Sequence, residues 1–148
     1  MQKAEKMKEL RVFAQEIRVE ALKTIGSLGF GHVGGSMSVV ETLAVLYGEV
    51  MKYDPQNPRW EGRDWCVISK GHAGPAMYAT LGLKGFYPLE NAYTLNKPHT
   101  NFPSHTDRTK TPGVDLTTGS LGQGMSSAIG AALGHKIDGK DNRVFVFV

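Results

Sequence analysis

Trp65-Cys-Val-Ile-Ser69-Lys-Gly-His72-Ala-Gly-Pro75, continued by Ala76 to Leu83, is the stretch that decides the fold. Trp65 to Ile68 form a short apolar run of the kind that fills a buried strand. Gly71, Gly74 and Pro75 punctuate a loop, after which Ala76 to Leu83 reads as helix. Farther on, Thr117-Thr-Gly119-Ser-Leu-Gly122-Gln-Gly124 leads into the small residues Met125 to Leu133, which predict a tightly packing helix closed by an Asp138-Gly139 turn. Arg143-Val-Phe-Val-Phe-Val148 then begins a second buried strand. Strands alternating with helices across glycine turns predict an α/β fold, a parallel sheet flanked by helices, with ligands beyond the carboxyl ends of its strands.

Upstream, Leu10, Ala14, Ile17, Ala21, Ile25 and Leu28 recur at spacings of three and four, the pattern of an amphipathic helix from about Met7. It stops in Gly26 to Gly35, five glycines in ten residues, where the backbone can take positive φ or approach a ligand closely. A second helix is expected from Ser38, which with Glu41 has the spacing of a capping box, through Leu43, Leu46, Tyr47 and Val50. Asp54-Pro55 and Asn57-Pro58 end it. Pro88 to Pro112 is rich in Asn, Thr, Pro and His and lacks periodicity, a long connection of the functional kind.

The 148 residues hold 17 Lys and Arg against 14 Asp and Glu and are 41% hydrophobic, the balance of one globular domain over residues 1–148. A chain of this size buries roughly 68–70% of its unfolded surface and needs no disulfide staple. The single Cys66 agrees, excludes a cysteine zinc site, and points to a reducing compartment. Charges scattered through Met1 to Leu22 do not make a signal peptide, so a cytoplasmic protein is expected. The longest purely apolar run, Val144 to Val148, is far short of a membrane span, so no membrane association is expected. The net charge of +3 is not gathered on one face, which argues against nucleic acid and suits an anionic small molecule.

His32, His72 and His105 each lie in a loop punctuated by Gly or Pro. Singly each is an ordinary polar loop residue. Around one pocket, imidazoles that donate, accept and carry a proton near neutrality suit a polyhydroxylated or phosphorylated substrate. His99 is weaker, and His135 near a helix end has a sufficient reason in the helix dipole. No HExxH spacing exists, and His99, His105 and Asp107 are only a generic cluster, so no metal ligands are expected in this chain. Cys66, in an apolar strand, belongs to the core rather than to catalysis. Gly119 to Gly124 matches neither the dinucleotide fingerprint nor the phosphate loop. It permits close approach to a ligand before a helix N-terminus. Helix packing explains its small residues but not Thr117 and Thr118.

Gly31-His-Val-Gly-Gly-Ser36, Asp54-Pro-Gln-Asn-Pro58, Arg63-Asp64, Ser69-Lys-Gly-His-Ala73 and Pro112-Gly-Val-Asp-Leu-Thr-Thr-Gly-Ser-Leu-Gly-Gln-Gly124 together resemble the N-terminal part of a transketolase. The likeness is closest to the N-terminal subunit of transketolases split into two polypeptides. It implies an incomplete thiamine diphosphate (diphosphate-binding) domain, and an enzyme of the pentose phosphate pathway that transfers a two-carbon ketol unit from a ketose or ketose phosphate to an aldose acceptor. It implies sugar phosphate substrates, a C-terminal transketolase subunit as partner, and an oligomer. By the same resemblance His32, His72 and His105 serve the substrate, His72 also lies near the cofactor diphosphate, and Gly119 and Leu121 contact the aminopyrimidine side. Leu95 to His105 departs from the commonest transketolase wording. The family's Gly-Asp-Gly and later Asn, which hold Mg2+ against the diphosphate, would lie beyond Val148, so the chain alone is expected to be inactive. The alternatives are a non-catalytic fragment or binding module, and a 1-deoxyxylulose-5-phosphate synthase-like enzyme, disfavoured by Ser69 to Ala73 and Pro112 to Gly124.

Overall fold

The computed structural model describes residues 2–148. Helix α1 runs Gln2–Gly26, and its inward stripe of Phe13, Ala14, Ile17, Ala21 and Ile25 is buried, as the spacing predicts. It lies against helices α3 and α4. Helix α2, Val33–Met37, is followed by α3, Val40–Val45, which runs on into a π-helical turn at Leu46–Val50. The expected capping box does not form. Ser38 has helical dihedrals at the end of α2 and its hydroxyl donates back to the Gly35 carbonyl at 2.8 Å, whereas an N-cap needs an extended backbone. Glu41 reaches Arg18 of α1 instead.

Strand β1, Trp65–Ile68, pairs in parallel with strand β2, Val144–Phe147, with Cys66 opposite Phe145 and Ile68 opposite Phe147. Alternation divides the sheet's faces. Cys66, Ile68, Phe145 and Phe147 join the main core with α1, α3 and α4, while the Trp65 side meets helix α5, Gln123–Ile137. The parallel sheet with helices on both faces is the expected architecture. Helix α4, Gly74–Leu83, starts with Pro75 in its first turn and is buried from Gly74 to Gly82.

Two expectations need correction. Helix α5 is not tightly packed: only Gly124 and Ala128 are buried, and Met125, Ile129, Leu133 and Ile137 stand in the solvent at helical spacing. Strand β2 is only half-buried, because among the described residues its sole strand partner is β1. The long stretch from Pro88 is ordered. It holds a 3-10 segment at Leu89–Thr94, and Tyr78 of α4 donates its hydroxyl to the Pro103 carbonyl at 2.7 Å. No helix among the described residues is long and apolar enough to cross a membrane.

Two carboxylates fix β1 at its start. Asp64, with no exposed side-chain surface, accepts from the main-chain N–H groups of Lys52 and Arg143 and from the Arg143 guanidinium at 2.6 Å, tying β1 to β2. Asp115 is buried too. It accepts from the Arg63 guanidinium at 2.8 and 3.0 Å and from the Cys66 N–H at 2.9 Å, so the loop that follows is fastened to the strand.

Candidate active site

Each of the three suspect histidines stands on a different loop, and the fold brings them together. His32 precedes α2, His72 lies in the 3-10 turn Gly71–Ala73 beyond the carboxyl end of β1, and His105 follows Pro103. Ring centroids are 4.9 Å apart for His32 and His72, 6.1 Å for His32 and His105, and 6.4 Å for His72 and His105. His32 and His105 are exposed, and His72 is half-buried between them. Burial, and then the neighbouring His32, His105 and Lys70, hold the His72 imidazole below its ordinary pKa, so it favours the neutral form that can both donate and accept. Among the described residues no three His, Cys, Asp or Glu side chains are arranged to hold a metal ion.

The loops under the triangle are joined residue by residue. The Thr106 N–H donates to the Gly71 carbonyl at 3.2 Å, and the Thr118 N–H donates to the Thr106 carbonyl at 3.1 Å. The approach at Gly71 is close enough that a Cβ there would sit 2.3 Å from the Thr118 carbonyl oxygen, which makes glycine obligatory. At Gly35 a Cβ would meet the His72 ring at 2.7 Å, so a side chain there would push that ring out of its place beside His32. Gly119 lies against the His105 ring, and Leu121, two residues farther along the chain, is 71% exposed.

Beyond the triangle, Thr117, Thr118, Gly119, Ser120, Gln123, Gly124 and Ser127 line a cleft of about 270 Å³ at the N-terminus of α5. The side chains of Thr117, Thr118, Ser120, Gln123 and Ser127 make its wall polar, while the Gln123 and Met125 N–H groups of the first turn already donate to the Ser120 and Gly122 carbonyls. A more open hollow of about 660 Å³ along α1, lined by Glu5, Lys8, Glu9, Val12, Phe13 and Glu16, includes none of these loops.

The remaining candidates fall outside. His99 is exposed on its own turn, with φ of 62°. His135, in the last turn of α5, sets its ring edge-on to Trp65 at 5.1 Å. Cys66 is buried, and burial followed by the charge of Asp115 pushes its thiol far above the ordinary range, so it is core as read from the sequence. The residues that sequence reasoning did not assign are Arg63, Asp115, Thr106 and Thr118. Thr118 had left a signal as a polar residue that helix packing did not explain, and Arg63 and Asp115 stood inside family motifs without a role; Thr106 left none.

A family model described as transketolase, thiamine diphosphate binding domain, matches residues 10–143. That places the fold and its loops in the class of thiamine diphosphate-binding α/β domains. Among curated relatives, the chain is 51% identical over 145 residues to the 6-deoxy-6-sulfo-D-fructose transketolase subunit SqwG of Clostridium sp. (strain MSTE9), covering 98% of this chain and 53% of the relative. It is 39% identical to the transketolase of Treponema pallidum (strain Nichols), covering 84% of this chain and 19% of that protein. The solved transketolase from Leishmania mexicana superposes with a TM-score of 0.84 at 33% identity, covering 93% of this chain and 22% of that one. For the transketolase from Campylobacter jejuni the TM-score is 0.86 at 30% identity, with 94% and 23% covered. The chain belongs to the transketolase family, to its thiamine diphosphate binding domain, and spans about half of SqwG and about a fifth of the single-chain transketolases.

Proposed function

We propose that this chain is the N-terminal portion of a split, thiamine diphosphate-dependent transketolase that moves a two-carbon ketol unit from a ketose to an aldose. The observation that carries the reading is the convergence of His32, His72 and His105, with centroids 4.9 to 6.4 Å apart, next to the Gly119 loop and its cleft. Thiamine diphosphate, when bound, supplies the carbanion chemistry that breaks and remakes the carbon–carbon bond. The cleft fits part of such a cofactor: its wall carries the hydroxyls of Thr117, Thr118, Ser120 and Ser127, Gly119 brings no side chain, and the exposed Leu121 nearby in sequence offers an apolar surface.

In this reading the chain's own residues bind and orient the sugar. His32 and His105, exposed, take substrate hydroxyls, while His72 faces both the sugar and the cofactor diphosphate. The neutral form favoured at His72 lets it accept a proton from a hydroxyl or donate one, as proton transfer during ketol transfer requires. Gly119 and Leu121 bear on the aminopyrimidine side. A magnesium ion would take its oxygen ligands from residues outside 1–148.

The partner is a C-terminal transketolase subunit, in a cytoplasmic oligomer of carbohydrate metabolism. The relative named as a subunit supports this, and so does the uncovered apolar row on α5. That relative's name also supports a donor ketose with a terminal sulfonate, and the net charge of +3 suits an anionic terminal group, sulfonate or phosphate.

The test is a ketol-transfer assay on the full-length protein with its partner subunit, thiamine diphosphate and Mg2+, using 6-deoxy-6-sulfofructose and fructose 6-phosphate as donors. Transfer from at least one donor is expected, with His72→Ala reducing kcat/KM by roughly 10²–10⁴-fold. Absence of transfer from both donors overturns the reading, as does a His72→Ala variant of unchanged kcat/KM.

A further inference from the structure

The paired threonines explain what helix packing left over. Thr106 is buried and Thr118 half-buried, and their hydroxyl oxygens lie 2.8 Å apart. Thr118 Oγ1 also lies in hydrogen-bond contact with the main-chain oxygen of Ile68, the last residue of β1. A hydroxyl has one proton. Because a carbonyl can only accept, the Thr118 proton goes to Ile68, and the Thr106 hydroxyl must then donate to Thr118. The direction of the chain is therefore fixed: Thr106 to Thr118 to the end of β1.

This short relay joins the same three segments that bear the site. Ile68 leads through Ser69 and Lys70 to His72, Thr106 is the neighbour of His105, and Thr118 is the neighbour of Gly119, which lies against the His105 ring. The main chain reinforces it through Thr106 N–H to Gly71 and Thr118 N–H to Thr106. Asp115, held by Arg63 and Cys66, anchors the loop at its other end. Thr117 differs although it is adjacent. It is exposed, and its hydroxyl serves the turn around Asp107 and Arg108.

We infer that Thr118 is a positioning residue, whose hydroxyl bond to the end of β1 and acceptance from Thr106 set the separation of His72 from His105. For its catalytic consequence this rests on the proposed function; for the geometry it does not. Loosening the knot moves His105 and the Gly119 loop away from His72. The half-burial of His72 and the nearness of His32, His105 and Lys70 hold its imidazole down, so His72 then titrates higher, toward its ordinary value.

The experiment is a pH titration of the histidine rings by NMR in the full-length protein, selectively labelled at histidine, together with donor KM and kcat for the complex. Thr118→Val keeps the shape and removes the hydroxyl; Thr118→Ser keeps the hydroxyl. In T118V the His72 midpoint is expected to move upward, with kcat/KM falling on the order of 10–100-fold for misplacement of about an ångström, and T118S is expected to restore both. If T118V does not fold, Thr106→Val, which spares the bond to Ile68, must show the same upward shift. A wild-type His72 titration in the folded variant overturns the inference, and so does a T118S protein that behaves as T118V, because the loop then answers to shape. Should the wild-type complex transfer no ketol unit, the proposed function fails while the ring titration still decides the role of Thr118.

Discussion

Helices α4 and α5 both follow a glycine loop beyond β1 and both are rich in small and apolar residues, yet Gly74 to Gly82 of α4 are all buried and only Gly124 and Ala128 of α5 are. Composition is nearly silent on the difference. What separates them is the company each keeps. Helix α4 is enclosed by α1, α2, α3 and the 3-10 segment at Leu89–Thr94, whereas among the described residues α5 packs mainly on the two strands. A small-residue helix therefore shows that something can approach closely, and the tertiary contacts decide whether anything in the same chain does. The histidine triangle belongs to the enclosed half, where Gly71 and Gly35 leave no room for a side chain.

The largest effect that can break this contrast is at Leu81, fully buried on α4. Leu81→Ala removes three buried carbons and leaves a cavity among neighbours that cannot all move, at a cost of about 2–5 kcal/mol. Urea unfolding followed by circular dichroism measures it. A loss below about 1 kcal/mol would mean that α4 is not the closed core described here.

How far the sequence led follows the same division. The periodicity of α1, the strand at Trp65, the glycine loop and the helix after Pro75 were legible because they depend on local pattern and on burial within the chain. His32, His72 and His105 were legible as loop imidazoles, and the family motifs supplied their grouping. The Ser38–Glu41 box failed because α2 begins earlier than periodicity indicated and leaves Ser38 helical. The exposure of α5 and half-burial of β2 could not be read, since an apolar sequence signals a preference for cover and not its presence. The pairings of Thr106, Asp115 and Arg63 stayed hidden for another reason: the partners in Arg63–Asp115 and Thr106–Thr118 are 52 and 12 residues apart, a separation that no periodicity records.

An intermediate effect is expected where β1 is tied to β2. Burial of Asp64 raises its carboxyl pKa, but the Arg143 guanidinium and the N–H groups of Lys52 and Arg143 more than offset this and hold it below the ordinary carboxylate value. A carboxylate lowered in the folded state binds fewer protons there than in the unfolded chain, so its stabilisation is complete above the unfolded value and is lost as pH falls through the folded one. Acid unfolding monitored at fixed urea should therefore show a loss of stability in the acid range that Asp64→Asn flattens. An unchanged acid limb in Asp64→Asn would assign that loss to other carboxylates.

The smallest effect makes the comparison sharpest, because it uses the same substitution. Leu133 on α5 is 54% exposed and Leu81 is 0%. Truncating Leu133 to Ala deletes surface that water already reaches, leaves no cavity, and substitutes a better helix former at a helical position. Loss of the remaining half-burial is offset in part by that propensity, so Leu133→Ala should change the unfolding free energy of this chain by no more than about 0.5 kcal/mol. The same urea curve, run on the isolated chain and again with the proposed C-terminal subunit present, separates two outcomes. If the cost stays small in both, the apolar row of α5 is idle surface. If it rises only with the partner present, the side chain is buried by that assembly, and the difference between the two curves measures how much of the cover α5 lacks here comes from outside the chain.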